Sequence, residues 1–264
     1  MINEYLKSFE KDSYIVLKDF FPANIIQKYK GFIEENLSGQ VEQIFKKWKI
    51  GIFEGDCFQK AEKLLANDKT VLPNERQVLL GQFPIEVRLS KEIYPLAEFV
   101  GKSELIRQIL GSESLFMHMP PMIRFVPKNY NHAAVPPHQD ISYNRHMSDF
   151  ITVWVPLVPI NDRCGGLIMY EGSQEMPEKV KESQELGGDW LPPIEIGNYK
   201  RNQLVDLDIG DVVVLSPYIA HESAPNFSDN IRLSMDLRIF SDKSSSSKHY
   251  LDLQTLQTIA PEVA

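Results

Sequence analysis

Apolar residues in the first 112 positions recur mostly at the spacing of α-helices. The segment SYIVLKDFF at residues 13–21 predicts a short strand, and Pro22 then marks the start of a helix because proline fits the first helical turn. Charged residues separate the apolar positions of that helix, which are Ile25, Ile26, Tyr29, Phe32, Ile33 and Leu37.

Further helical patterns follow in the same part of the chain. Residues 41–66 are predicted to be helical, with an interruption near Gly51 and Gly55. Two shorter helices are predicted at residues 91–99 and 103–110, and the serine that begins the second can act as its N-cap.

After about residue 113 the pattern changes to short runs rich in β-branched and aromatic residues. Turn signals separate these runs and no helical pattern intervenes, which favours an antiparallel barrel or sandwich. The runs are SLFMHMPPMIRFVP, FITVWVPLVPI, GGLIMY, DVVVLSPYIA and IRLSMDLRIF.

This pattern predicts one domain over residues 1–264, mainly β with a helical N-terminal layer. Residues 1–112 are expected to form the helical support, and residues 113–241 the β-core. A polar, aperiodic stretch at about 174–203 is expected to be a long insertion that serves as a lid. Residues 242–264 are expected to form a C-terminal tail that is polar and mobile at its start.

Composition narrows the class of protein. Hydrophobic residues make up 43% and charged residues 24% of the chain, as in ordinary soluble globular proteins. The net charge of -8 argues against general affinity for nucleic acid, and no apolar run is long enough to cross a bilayer. The N-terminus has no secretory pattern, and Cys57 and Cys164 form no disulfide framework. We therefore expect a cytoplasmic protein that binds neither nucleic acid nor membrane.

Candidate chemistry begins in VPPHQDISYN at residues 135–144. If this segment is a strand, His138 and Asp140 lie on the same face, although a His capped by a nearby carboxylate in a turn would give the same short motif. His221 follows a later predicted strand and can supply a third ligand. Two His and one Asp leave three positions open, which suits non-haem Fe(II), whereas a structural zinc site closes all four of its positions.

A cationic residue downstream gives an independent indication. Arg232 lies on the strand after His221, with Ser223 beside the His and Ser234 on the face of Arg232. A buried Arg suits the distal carboxylate of 2-oxoglutarate because its planar fork can donate two parallel hydrogen bonds. An internal salt bridge or an edge-strand Arg is the alternative interpretation.

Four segments together resemble the phytanoyl-CoA dioxygenase family of Fe(II)/2-oxoglutarate oxygenases. They are SYIVLKDFFPANIIQKYKGFIEE, PPHQD, FITVWVPLVPINDRCGGLIMYEGSQE and GDVVVLSPYIAHESAPNFSDNIRLSMDLRI, in the order and with the turns of that family. The resemblance implies a double-stranded β-helix core, that is, a cupin-like jelly roll.

The resemblance also implies roles for individual residues. The iron ligands are implied to be His138, Asp140 and His221, and Arg232 is implied to bind the distal carboxylate of 2-oxoglutarate. The sequence departs from the family at Pro137, where Trp is more usual before the first His. The other implied co-substrate residues are two hydroxyls near the Arg, an aromatic lining residue and a basic residue on the preceding strand, namely Ser223, Ser234, Trp154 and Arg124.

As a member of this family the protein would use Fe(II), with 2-oxoglutarate and O₂ as co-substrates, and would release succinate and CO₂. Hydroxylation of a small metabolite or biosynthetic intermediate is expected. The retained Asp140 disfavours halogenation, because related halogenases replace this carboxylate with a small residue; epimerisation, desaturation and cyclisation stay open. Residues expected to face the substrate are Asn131, His132, Tyr143, Asn144, Arg145 and Trp190.

Two other classes of protein fit part of the pattern. A cupin-like barrel that binds metal and ligand without catalysis would keep the His and Asp positions but has no need of Arg232 and its hydroxyls. A zinc-dependent isomerase or hydrolase would act without O₂ or 2-oxoglutarate. The remaining histidines have no partner at ligand spacing and are expected to be structural or solvated: His118, His146 and His249.

Overall fold

The computed structural model describes residues 2–51, 54–66, 71–128, 130, 133–176 and 193–261. The helices in these ranges are α1 (Ile2–Asp12), α2 (Ala23–Trp48), α3 (Cys57–Leu65), α4 (Pro73–Leu79), α5 (Ile85–Arg88), α6 (Tyr94–Gly101), α7 (Glu104–Leu110) and α8 (Asp140–Tyr143), with 3-10 turns at Lys91–Ile93 and Ser173–Glu175. The strands are β1 (Tyr14–Leu17), β2 (Leu115–His118), β3 (Met122–Val126), β4 (Ile151–Pro156), β5 (Leu167–Glu171), β6 (Lys200–Gln203), β7 (Val212–Leu215), β8 (His221–Ser223), β9 (Arg232–Ser241), β10 (Tyr250–Asp252) and β11 (Thr258–Ile259).

The N-terminal helices confirm the predicted break in the second helical region. Helix α2 ends because Lys49 adopts the left-handed conformation at φ 51°, which stops the helical ladder. Helix α3 begins after Asp56, whose carboxylate accepts the Gln59 N–H in a capping box. Helices α1, α4 and α5 were not predicted. None of the described helices is long and apolar enough to span a membrane.

Helix α7 confirms its predicted N-cap. The Ser103 hydroxyl accepts the backbone N–H of Ile106 at 3.4 Å, so one of the unpaired donors of the first turn is satisfied. At the other end Gly111 has φ 61°, a conformation that glycine adopts without strain. The helix is thereby confined to the seven residues between these two caps.

Two antiparallel sheets build the β-core. The main sheet has the order β1-β7-β4-β9-β2-β10-β11, and β3 pairs with the first half of β9. The small sheet has the order β6-β5-β8. An isolated bridge between His138 and His221 joins the loop before α8 to β8. This arrangement, with a helical N-terminal part, confirms the expected double-stranded β-helix.

Strand β9 separates the hydrophobic core from the polar interior. Alternate side chains of a strand point to opposite faces. One face of β9 joins the cluster that also contains the helices, and the other carries four buried polar residues. The apolar residues are Leu233, Met235, Leu237 and Ile239, and the polar ones are Arg232, Ser234, Asp236 and Arg238.

The expected insertion and tail are partly wrong. Within the insertion, residues 177–192 lie outside the described residues, but β6 pairs with β5 and therefore belongs to the small sheet. Within the tail, β10 pairs with β2 and β11 pairs with β10, so this segment extends the main sheet. Short strands of three and two residues give too little alternation to be predicted from the sequence.

Candidate active site

A cavity lies between the two sheets. The main sheet contributes residues of β3, β4, β7 and β9 to its lining, and the small sheet contributes residues of β5 and β8. Six of the eight predicted site residues line it directly, which are Arg124, His138, Asp140, Trp154, His221 and Ser223. The other two, Arg232 and Ser234, lie on the polar face of β9.

The two candidate histidine ligands are joined by their backbones. Each accepts the other's N–H at 2.9 Å, which places their rings 4.3 Å apart between centroids. Nδ1 of His138 lies 2.8 Å from the Pro136 carbonyl, and Nδ1 of His221 lies 3.1 Å from the Ile219 carbonyl. Because a carbonyl only accepts, Nδ1 of each ring carries the proton and Nε2 is left to bind a metal.

Asp140 reaches the histidines by a different local structure from the one expected. The segment is not a regular strand: Gln139 is extended, and Asp140 begins the four-residue helix α8. The helix is held by the Asn144 side chain, which donates to the Asp140 carbonyl at 2.7 Å. The Thr152 hydroxyl of β4 donates to the Asp140 carboxylate. These contacts fix the carboxylate beside the imidazoles.

The charges around Asp140 keep it ionised. Burial alone would raise its pKa, but the Arg238 guanidinium and the nearby imidazoles hold the pKa of Asp140 well below its usual range. Arg238 Nη2 lies 3.5 Å from the Asp140 carboxylate. Burial, followed by the neighbouring His138, lowers the pKa of His221 to about 4. The site therefore presents a carboxylate and a neutral imidazole near neutral pH.

These three side chains fit a metal ion. One ligand atom from each of His138, Asp140 and His221 lies within 4.8 Å of the others, and all three residues are buried. It is the one such cluster among the described residues. Two imidazoles and one carboxylate suit Fe(II), which keeps further positions open for co-substrates.

Arg232 fits a bound anion beside the metal ligands. It is fully buried, and its Nη2 donates to the Ser223 hydroxyl at 3.3 Å, whereas Nε and Nη1 have no hydrogen-bond partner among the described residues. The Ser234 hydroxyl is likewise buried and unpaired. Burial lowers the pKa of Arg232 to about 10, since a guanidinium without an anion is costly in this environment. A carboxylate would satisfy all of these groups.

Two polar residues of β9, Asp236 and Arg238, contact the site but were not among the predicted site residues. Asp236 lies 3.3 Å from Arg124 Nε and 3.9 Å from Arg238 Nη2, so it links the two arginines. Arg238 in turn contacts Asp140. Their positions continue the period-two spacing of Arg232 and Ser234, and this spacing was the available signal.

A second cavity, of about 400 Å³, adjoins the first and shares Arg124 and Asp140 with it. Tyr143 and Asn144, two of the residues expected to face the substrate, line it. Arg145 is exposed and lies outside its lining. The other expected substrate residues, Asn131, His132 and Trp190, lie outside the described residues.

Two histidines that were expected to be structural or solvated also line the second cavity. His146 Nε2 lies 3.2 Å from His118 Nδ1, and the ring centroids are 4.4 Å apart. The two histidines lie 28 positions apart in the chain, so no local sequence pattern indicates that they meet. His249 is exposed.

The fold and the site define an oxygenase-like double-stranded β-helix. The chain belongs to the phytanoyl-CoA dioxygenase (PhyH) family, whose sequence model matches residues 9–234. The family resemblance inferred from the four sequence segments is thus confirmed.

Curated relatives of known activity match about half of the chain. The 1-deoxypentalenic acid 11-beta-hydroxylase of Streptomyces exfoliatus is 31% identical over 145 residues, which cover 50% of this chain and 51% of that protein. The enzyme of the same name from Streptomyces arenae is 30% identical over 140 residues, covering 48% and 50%. The match therefore spans about half the length of these relatives.

Solved structures share the fold over nearly the whole chain. The epimerase SnoN, in complex with Fe3+, alpha ketoglutarate and nogalamycin RO, has a TM-score of 0.59 at 16% identity and covers 93% of this chain and 85% of its own. The apo non-heme monooxygenase ThoJ has a TM-score of 0.59 at 16% identity, with 94% and 83% covered. At this identity they show the fold alone.

Proposed function

We propose that the protein is an Fe(II)- and 2-oxoglutarate-dependent dioxygenase that hydroxylates a small-molecule biosynthetic intermediate. The observation that carries the proposal is the buried Arg232, whose two unpaired nitrogens lie in the same polar interior as the His138, Asp140 and His221 cluster. A purely structural arginine would have its carboxylate partner in the fold. Membership of the PhyH family supports the same reaction.

The chain's own residues divide into metal ligands and co-substrate ligands. His138, Asp140 and His221 would hold Fe(II), which supplies the activation of O₂ that no side chain can perform. Arg232 and Ser223 bind the distal carboxylate of 2-oxoglutarate by charge-assisted hydrogen bonds. The groups that complete the co-substrate site are Ser234, which offers a further hydroxyl, Trp154, which forms an apolar wall, and Arg124, which is held by Asp236.

Hydroxylation is favoured over the other outcomes of this chemistry. The Asp140 carboxylate occupies the position that a halide would need, and it is held there by Thr152 and Arg238. The partial relatives in two Streptomyces species are named as hydroxylases of 1-deoxypentalenic acid, a small molecule.

The free thiols of Cys57 and Cys164 fit a reducing compartment, so the cytoplasm is the proposed location. The chain is proposed to form a single domain.

The proposal is tested by following succinate after addition of Fe(II), 2-oxoglutarate and O₂ to the metal-free protein. Succinate should form slowly when no substrate is present and faster when a substrate is added. Its formation should require Fe(II), 2-oxoglutarate and O₂ together. Metal analysis of the purified protein is the companion measurement. Tightly bound zinc together with turnover that needs neither O₂ nor 2-oxoglutarate would instead establish a zinc isomerase or hydrolase. A barrel that binds metal without turnover would form no succinate.

A further inference from the structure

The second cavity carries positive charge in a chain whose net charge is -8. One carboxylate, that of Asp140, is among its described lining residues. Four cationic side chains surround it, two from β-strands of the main sheet, one from α5 and one from the segment before β10. These are Arg124, Arg238, Arg88 and Lys248.

Two of the four cations are already neutralised within the fold. Arg124 pairs with Asp236 at 3.3 Å, and Arg238 contacts Asp140 at 3.5 Å. Arg88 has no carboxylate within 4.0 Å among the described residues, and the same holds for Lys248. Two uncompensated positive charges therefore remain in the lining of this cavity.

Arg88 is held in place by a backbone carbonyl and a thioether, and its contacts among the described residues include no carboxylate. Its Nε donates to the Pro121 carbonyl at 3.3 Å, and its Nη2 lies 3.0 Å from the Met122 sulfur. Burial, together with the nearby Arg238, lowers the pKa of Arg88, as expected for a partly buried cation without a carboxylate partner. A guanidinium fixed in this way is pre-organised to bind an anion that enters the cavity.

The His118–His146 pair adds hydrogen-bonding capacity without charge. Burial, followed by the neighbouring His146 and then the cations, lowers the pKa of His118 to about 3, and burial with Lys248 and Arg238 lowers the pKa of His146 to about 4. Both rings are therefore neutral near pH 7, and the positive charge available to a ligand comes from Arg88 and Lys248.

The rest of the cavity suits an apolar molecular body. Met119, Pro120, Met122 and Tyr143 contribute side chains to its lining. Its volume of about 400 Å³ is in the range of small-molecule sites. Because it borders Asp140, a ligand that fills it extends to the metal ligands.

We propose that the substrate is a carboxylic acid with an apolar body, and that Arg88 and Lys248 bind its carboxylate while the body reaches towards Asp140. This proposal rests on the proposed function, since it assigns the substrate of the same site. Arg88 provides the fixed donor, and Lys248, which is exposed, provides a mobile one. Both act as specificity-determining residues, and neither is the Arg232 that binds the co-substrate.

Matched pairs of acids and methyl esters test this assignment. Octanoic acid, cyclohexanecarboxylic acid and 1-deoxypentalenic acid, each with its methyl ester, are titrated calorimetrically into anaerobic enzyme loaded with Fe(II) and 2-oxoglutarate. At least one acid should bind about tenfold or more tightly than its ester, as expected for one charge-assisted contact. Equal affinities within every pair, or no binding of any acid, would overturn the proposal.

Substitutions of Arg88 and Lys248 test whether these two cations cause the preference for the acid over its ester. Arg88→Met and Lys248→Gln should each reduce the acid preference, and Arg88→Lys should retain part of it. Lys46→Gln, which removes an exposed charge near the end of α2, is the matched control and should keep the full preference. A preference that survives Arg88→Met and Lys248→Gln would contradict the assignment. Failure of the wild type to load Fe(II) and 2-oxoglutarate would contradict the proposed function itself, so the two failures are distinguishable.

Discussion

Arg238 and Asp140 form a buried ion pair, with Nη2 3.5 Å from Oδ1 and side chains that are 7% and 5% exposed. One partner is a candidate metal ligand and the other is the last polar residue on the inward face of β9. The pair therefore connects the metal site to the main sheet. It also keeps the carboxylate ionised before any metal binds.

Replacing Arg238 should destabilise the metal-free protein strongly. Arg238→Met leaves Asp140 buried without its closest cation, and such losses cost about 3–5 kcal/mol in the free energy of unfolding. Arg201→Met is the matched control, because Arg201 pairs with Glu222 at 3.8 Å at the surface, where a pair contributes at most about 1 kcal/mol. Urea unfolding of both variants measures the difference. Equal losses would show that the buried pair does not hold the site together.

Replacing Arg232, in contrast to Arg238, should weaken the binding of 2-oxoglutarate without lowering the stability of the ligand-free protein. Arg232→Met removes a fully buried cation that lacks a carboxylate partner, so the free energy of unfolding without ligand should stay unchanged or rise. The affinity for 2-oxoglutarate should fall about thirtyfold or more, as for loss of one partner of a buried charge pair. Titration of 2-oxoglutarate and urea unfolding give the two values. A large loss of stability with unchanged affinity would assign Arg232 to the fold alone.

The lowered pKa of His118 predicts a pH-dependent stability. Between about pH 6.5 and 3 the unfolded chain binds a proton at His118 and the folded chain does not, so the free energy of unfolding falls as the pH falls. This group contributes a slope of up to about 1.4 kcal/mol per pH unit in that window. His118→Gln should therefore have a shallower decline, measured by urea unfolding from pH 7 to pH 4. The exposed His249→Gln is the control, and identical slopes for His118→Gln and wild type would refute the expectation.

The central residues of the site could be predicted because strand periodicity and ligand chemistry constrain them. His221 directly follows the apolar run DVVVLSPYIA and Arg232 lies within the run IRLSMDLRIF, where a buried imidazole or guanidinium needs a chemical reason. The same periodicity extends to Asp236 and Arg238, and applying it along the whole of β9 would have predicted them as well.

The second cavity could not be predicted from the sequence. Arg88 comes from α5, His118 from β2 and Lys248 from the segment before β10. Their meeting depends on the pairing of β2 with β9 and β10, which is set by tertiary packing and not by any local pattern. The helix at Asp140 was also missed, since four residues carry too little periodicity to indicate it.

The visible absorption spectrum of the anaerobic protein with Fe(II) and 2-oxoglutarate tests the central claim most directly. Wild type should show the weak charge-transfer band of chelated 2-oxoglutarate, and Asp140→Ala and Arg232→Ala should lose it at the same co-substrate concentration. Arg201→Met should keep the band. Absence of the band in the wild type, or its persistence in Arg232→Ala, would contradict an iron site at His138, Asp140 and His221 whose 2-oxoglutarate is held by Arg232.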